Sequence, residues 1–495
     1  MGQSSIPLFF LYENAALFHK QFIKNQFTKE ESLMPKSRNE IDMCNGPILP
    51  ALLELTIPLL LSSVLQLLFN AADVIVVGNF ASEYSLAAVG STTALVNLMT
   101  NLFLGLSVSV NVLTAKFAGA GNKYQISRTV HTSVSLSIIC GAILMVFGII
   151  FAPALLKLMA TPDNVLGLSS LYLRVYFTGM IPMMIYNFGS SLLRSKGDTK
   201  RPLLYLTIAG AVNFVLNLFF VIVLKMDVMG VGLATAISQV ISAVLILICL
   251  SREEDAFRFS FRKLSLDPHI VSAILKIGIP AGIQGVIFSL SNVVIQSSVN
   301  SFGAIVMAGS AASSSIEGFV WVSMNSFSQG ALTFMSQNIG AGRFSRLNRI
   351  AVTSCMCAAA TGLILGNAAY LFGNQLLAIY DSRPEVISAG MTRMFMVCCF
   401  YCTCGLMDCI VGNIRGMGYG MTPTVISLIG ACGLRIIWIS TLFRLPQFHN
   451  ESMLFLSYPV SWIITFIAHF ICFQFMRKKY PKTDRKNETP EVPAS

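Results

Sequence analysis

Long apolar runs, broken by short polar or charged segments, dominate the chain from about residue 47 to residue 477. Each approaches the roughly 20 apolar residues that a helix needs to cross the hydrocarbon of a bilayer. Read between their charge and turn boundaries, the runs predict twelve spans, at roughly 50–79, 85–114, 127–153, 166–192, 202–224, 230–250, 269–300, 304–336, 348–374, 386–414, 422–443 and 453–476. Pro58 in span one and Pro280 in span seven each remove one helical hydrogen bond and favour a bend. Pro58 is therefore a candidate conformational hinge. Residues 1–46 read as a disordered N-terminal extension, and no signal-peptide cleavage site follows the short apolar run 6–11. Met34 and Met43 stand as alternative starts, so residues 1–33 are expected to be dispensable. Residues 478–495 form a polar tail, expected to be disordered from Pro481.

Composition narrows the class. Of 495 residues, 54% are hydrophobic and 12% charged, and mean hydropathy is +0.69. A soluble domain carries about 25% charged residues, so a soluble enzyme is excluded. The net charge of +11 suggests a polyanion partner until the basic residues are placed. Of the 34 Lys and Arg, 27 fall in the extension, the tail and alternate loops, and seven on the other side. That asymmetry is the positive-inside signal, which puts both termini in the cytoplasm and removes any need for nucleic acid. Twelve cysteines lie mostly inside apolar stretches and read as small packing residues. The fold class is an all-α polytopic membrane protein, expected in the cell membrane and expected to work as a monomer.

The chain also repeats itself. Gly119-Ala120-Gly121 recurs 221 residues later as Gly340-Ala341-Gly342, and Arg194, Gly197 and Pro202 recur as Arg415, Gly418 and Pro423. Pro58 and Pro280 are 222 apart. Two six-span halves with an even number of spans each share one orientation, an arrangement used by secondary transporters. The domains read as an N-lobe over 47–251, a cytoplasmic linker over 252–268 and a C-lobe over 269–477.

Over residues 44–477 the sequence resembles the MATE family, the multidrug and toxic compound extrusion transporters. The resemblance is carried by Pro58 through Asp73-Val-Ile-Val-Val-Gly78, the two Gly-Ala-Gly turns, Leu193 to Thr199 with its partner Ile414 to Gly418, and Asn213-x-x-x-Asn217 followed by Gly232-Leu-Ala234-Thr235. It implies an efflux antiporter driven by Na+ or H+, with amphipathic, often cationic, organic compounds as substrates. No cofactor is expected beyond the coupling ion.

Few ionisable residues lie deep in a span, and burying one costs about 2.5–3.5 kcal/mol on insertion scales. Asp73 lies in the outer half of span one, with Asn70 one turn earlier on the same face. A carboxylate there can take up a proton or help to cage a cation; the structural alternative is an interhelical lock. Asn213 and Asn217 share one face of span five and on their own favour helix-to-helix glue. The resemblance instead implies a cation or proton site of Asp73, Asn213, Asn217 and Thr235. Some members carry an aspartate where this chain has Asn217, which leaves Asp73 as the one assignable acid of that site. Glu317 and Asp408 form a possible second acidic site in the C-lobe, against pairing with Arg393, Arg415 or another helix. One branch of the family places a glutamate where this chain has Phe288.

Arg174, Arg393 and Arg435 fall near span ends and are expected to snorkel to the interface. His131 and His469 read as satisfied packing residues, and Cys398, Cys399, Cys402, Cys404 and Cys409 as small residues in a helix rather than a metal site. The methionines of spans four, eight and ten suit either a promiscuous pocket or plain packing. No phosphate loop, hydrolase constellation or metal motif is present, so the chain is expected to be neither an enzyme nor ATP-driven. A flippase for lipid-linked saccharides is the alternative, disfavoured because such a cavity needs cations for pyrophosphate and the deep ionisable residues here are mainly acidic.

Overall fold

A computed structural model describes residues 40–80, 83–159 and 161–485. Among these, ten helices are long and apolar enough to cross a membrane, and two further pairs are bent, by 47° and 45°. The bent pairs, Asp163–Thr178 with Met180–Ser195 and Pro384–Cys398 with Tyr401–Gly416, are spans four and ten, so the total is twelve. Their joints, at Gly179 and Phe400, are 221 residues apart, so the break belongs to the repeat. Span one, Ile48–Phe80, and span seven, Pro268–Asn300, run as continuous helix through Pro58 and Pro280. At Pro58 the Ser62 hydroxyl donates to the proline carbonyl at 2.8 Å. Spans five and eleven each contain a π-helical turn, Phe219–Val223 and Leu428–Gly433.

Backbone geometry confirms the duplication at atomic detail. Gly121 and Gly342 take φ of +67° and +69°, and Gly197 and Gly418 take +96° and +91°. Left-handed φ is costly for residues with a Cβ, so each turn retains the one residue that enters it freely. Span two (Glu83–Gly119) and span eight (Ala304–Gly340) meet reciprocally at their ends. A Cβ on Gly119 would lie 1.9 Å from the Gln337 carbonyl oxygen, and one on Gly340 would lie 1.9 Å from that of Lys116. Gln337 and Lys116 are themselves 221 apart. A pseudo-twofold axis therefore runs through this crossing, and glycine is what lets the two backbones touch. Higher up, Asn111 of span two donates to Thr333 of span eight at 3.0 Å.

Residues 40–46 and 478–485 are more ordered than their composition suggests. Residues 40–46, expected to be disordered, form a strap across both lobes. Glu40 pairs with Lys196 at 2.7 Å, Ile41 packs on Gly197, and Met43 is fully buried. From the C-lobe, Asn338 donates to the Met43 carbonyl at 2.9 Å and Arg346 to that of Gly46 at 2.9 Å. Residues 478–485 are likewise packed on the C-lobe: Tyr480 donates to the Met417 carbonyl, and Asp484 accepts from the Ser345 amide at 2.8 Å. Local composition is polar in both segments, but their partners lie far away in sequence. Met34 and residues 1–33 lie outside the described residues.

The inter-lobe linker is also packed. Phe257 and Phe259 are buried, and the Ser260 amide donates to His131 Nε2 at 3.2 Å. His131 also bonds the Ser127 carbonyl, so it staples the linker to span three. His469 is buried and hydrogen-bonded to Ser427 at 3.0 Å.

Candidate functional site

Span one brings Asp73 against span five, Lys200–Val223, and span six, Asp227–Arg252. The Asn217 side-chain amide donates both to the Asp73 carboxylate and, at 3.2 Å, to Asn213 Oδ1. Asn213 in turn donates to Thr235 Oγ1 at 3.4 Å, and Thr235 back-bonds to the Val231 carbonyl at 3.0 Å. The four residues singled out in the sequence therefore form one continuous chain of polar groups across three helices. The i to i+4 spacing of the two asparagines puts them one turn apart on one face, which is what allows the relay. Asn70 is exposed and makes no hydrogen bond with the cluster.

Two features distinguish this cluster from a closed lock. Asn217 Oδ1 is buried without a hydrogen-bond partner, although a buried polar atom normally finds one. Asp73 also makes no salt bridge among the described residues, so its charge has no fixed counter-ion. A carboxylate oxygen, an unpartnered amide oxygen, a second amide and a hydroxyl are hard oxygen donors, suited to a small cation or a proton. Around them lies an apolar wall of Val76, Val77, Val221, Val228 and Val231. Tyr172 and Tyr176 of span four complete it, packed against the same valines. The sequence reading missed these tyrosines. Their one-turn spacing was visible, but the bend that turns them inward was not.

The C-lobe acids are arranged differently. Glu317 is held bidentately by Arg393, at 2.8 and 2.7 Å, and also accepts from Ser313 at 2.9 Å. Arg393 donates its remaining arm to Ser310. Both charged groups are buried, so the pairing left open in the sequence is the arrangement found. Asp408 accepts from the indole of Trp321 at 3.2 Å and shares no hydrogen-bond partner with Glu317.

The arginine assignments need correction. Arg174 is exposed, in keeping with snorkelling, but Arg393 and Arg435 are 6% and 3% exposed. Counting residues from a span end misjudges depth where span ten is bent and span eleven contains a π turn. Aromatic side chains of span twelve, Glu451–Arg477, accept the Arg435 guanidinium instead, with Tyr458 4.3 Å and Trp462 5.6 Å from its centre.

Cys398, Cys404 and Cys409 are buried packing residues, and no metal-binding group of His, Cys, Asp or Glu occurs among the described residues. Met324 lies over Gly362 and Gly405, filling the space their missing side chains leave. Met180, Met184, Met335, Met394 and Met407 are likewise buried, so packing accounts for them.

Two six-span repeats meeting at a pseudo-twofold seam, with an oxygen cluster held at membrane depth, define a duplicated membrane transporter. Residues 58–219 and 280–439 match the MatE family model, one copy in each lobe. The chain belongs to the MATE family, whose members are transporters and not enzymes. It is 26% identical to the Bacillus subtilis protein named "Probable multidrug resistance protein YoeA", over 86% of this chain and 93% of that one. It is 25% identical to the Thermotoga maritima protein named "Probable multidrug resistance protein NorM", over 83% and 87%. A solved multidrug resistance MATE transporter of the MOP superfamily, in an outward-facing conformation, shares the fold at a TM-score of 0.84 and 19% identity, covering 90% of this chain and 99% of that one.

Proposed function

We propose that this protein is a secondary antiporter that exports amphipathic organic compounds by alternating access, in exchange for Na+ or H+ entering at Asp73, Asn213, Asn217 and Thr235. The observation that carries the reading is a carboxylate at membrane depth with no salt bridge, beside a buried amide oxygen with no partner. Leaving the carboxylate without a counter-ion and the amide oxygen without a donor costs free energy that a bound cation or proton recovers. The names of the relatives, two of them for multidrug resistance, support a broad range of substrates.

The positive-inside asymmetry puts the basic end, with its Gly-Ala-Gly crossing and strap, in the cytoplasm. In the cycle, a cation from outside neutralises Asp73 and repacks span one about Pro58. The cleft is thereby reshaped and the substrate leaves outward. Substrate from the cytoplasm then resets the lobes, which requires the Gly119–Gly340 crossing and the strap to part. The coupling ion acts by differential affinity for the two states, since a ligand that binds both equally shifts nothing.

The test is efflux of ethidium from proteoliposomes under a sodium gradient and, separately, a proton gradient. Acceleration by one of them names the coupling ion. Efflux indifferent to both overturns the antiport reading.

A further inference from the structure

The strap of residues 40–46 is held unequally by the two lobes. The C-lobe grips most of its length. Asn338 and Arg346 donate to the Met43 and Gly46 carbonyls, each at 2.9 Å, and Arg343 donates to the Asn45 side chain at 3.3 Å. Ile41 and Met43 join a core cluster with Phe334, Ile339, Phe344 and Leu347 of the C-lobe. The N-lobe contact lies at the leading end, where Glu40 pairs with Lys196 and the Ile41 backbone covers Gly197. The strap leads into the N-lobe in sequence but packs with the C-lobe.

The clasp at that end can open without stranding a charge. Lys196 is bonded to Glu253 as well as to Glu40, and Arg201 is bonded to both Glu253 and Asp198. Two cations and two acids therefore balance within the N-lobe when Glu40 is left out. Parting a buried ion pair is costly when it leaves one charge alone. Here Lys196 keeps Glu253, and Glu40, its side chain already 17% exposed, passes into water. The arrangement is also confined to one side of the pseudo-twofold. At the 221-residue offset, residues 40–46 correspond to 261–267 of the linker, where the Asp267 amide donates to Thr132 of span three at 3.3 Å. A Cβ on Gly197 would lie 2.9 Å from both the nitrogen and the oxygen of Ile41, whereas one on its counterpart Gly418 would meet nothing within 4 Å.

We propose that the strap is a cytoplasmic latch: it travels with the C-lobe, and its Glu40–Lys196 clasp holds the cytoplasmic end shut until the clasp opens. The proposal rests on the alternating-access reading, because a latch has a use only if that end opens. Gln337 links the strap to the crossing of spans two and eight. Its side chain meets Cys44 at 3.7 Å and the N-lobe Ser195 carbonyl at 3.5 Å, and its own carbonyl is the one that Gly119 approaches. Release of the clasp therefore frees the Gly119–Gly340 crossing to separate.

Hydrogen–deuterium exchange of the purified full-length protein, read at peptides 40–46 and 337–342, tests the latch. It uses neither gradient nor substrate, so its outcome is independent of ion coupling at Asp73. Glu40→Gln should speed exchange in both peptides by about tenfold, as loss of one charge-assisted bond from a shared opening predicts. Gly197→Ala and Gly418→Ala impose the same left-handed strain, at φ of +96° and +91°, but only the first displaces Ile41. Gly197→Ala should therefore speed exchange at 337–342 by about fivefold more than Gly418→Ala does. This matched pair decides the question if Glu40→Gln does not fold. Faster exchange confined to 40–46 would make the strap a local cover and overturn the proposal. Unchanged exchange in Glu40→Gln, or equal effects of the two glycine variants, overturns it as well.

Discussion

The two lobes are copies in backbone and strangers in charge. At the 221-residue offset, Asp73, Asn213, Asn217 and Thr235 correspond to Val294, Leu434, Trp438 and Leu456. The C-lobe therefore has no copy of the oxygen cluster. Conversely, Arg393 and Arg435 correspond to Tyr172 and Phe214 in the N-lobe. What duplication preserved is what the backbone needs: turn glycines, the bend of the fourth span and the close crossing. What diverged is the lining. The N-lobe acid has no salt bridge and lies beside one unsatisfied amide oxygen, whereas the first C-lobe acid is saturated by a bidentate arginine. Burial alone thus says little about role. The state of the partner distinguishes a site from a lock.

The most damaging way to test this contrast is to break the lock. Arg393→Met strands the buried Glu317 carboxylate and should cost about 3–5 kcal/mol, seen as loss of monodisperse protein or a large fall in melting temperature. Glu317→Leu added to Arg393→Met should recover most of that loss, because a buried pair replaced by apolar groups is close to neutral. A single variant that melts like wild type would remove the structural role from the pair.

Smaller effects are expected in the N-lobe cluster, and they should fall on coupling rather than folding. Asn217 makes two of the cluster's hydrogen bonds and holds the unpartnered oxygen, so Asn217→Ala should weaken the dependence of efflux on the coupling ion by about tenfold. Thr235 lies at the far end of the relay through a 3.4 Å contact, so Thr235→Val should cost no more than about threefold. Titrating efflux against coupling-ion concentration in proteoliposomes measures both. Reversal of that order would place the ion nearer span six than span one.

Much of this was legible in the sequence for physical reasons. Span count, basic-face asymmetry and the repeat are one-dimensional signals, since the bilayer fixes element length and the positive-φ turns fix glycine. The N-lobe cluster was legible through spacing, with two amides one turn apart and one acid in an apolar run. The depth of Arg393 and Arg435 was not, because a bent span and a π turn displace residues from where counting puts them. Nor was the strap, whose polar residues look unstructured until partners 150 to 300 positions away close over them. Tyr172 and Tyr176 stayed hidden because the sequence reading missed the bend after Thr178.

Asp73→Asn tests the central claim most directly, because it retains the side chain's shape and its place beside Asn217 while removing the charge. In proteoliposomes matched for protein content and melting temperature, the account predicts that this variant loses gradient-driven ethidium efflux while remaining folded. Wild-type efflux under the same gradient would contradict it and remove Asp73 from the mechanism.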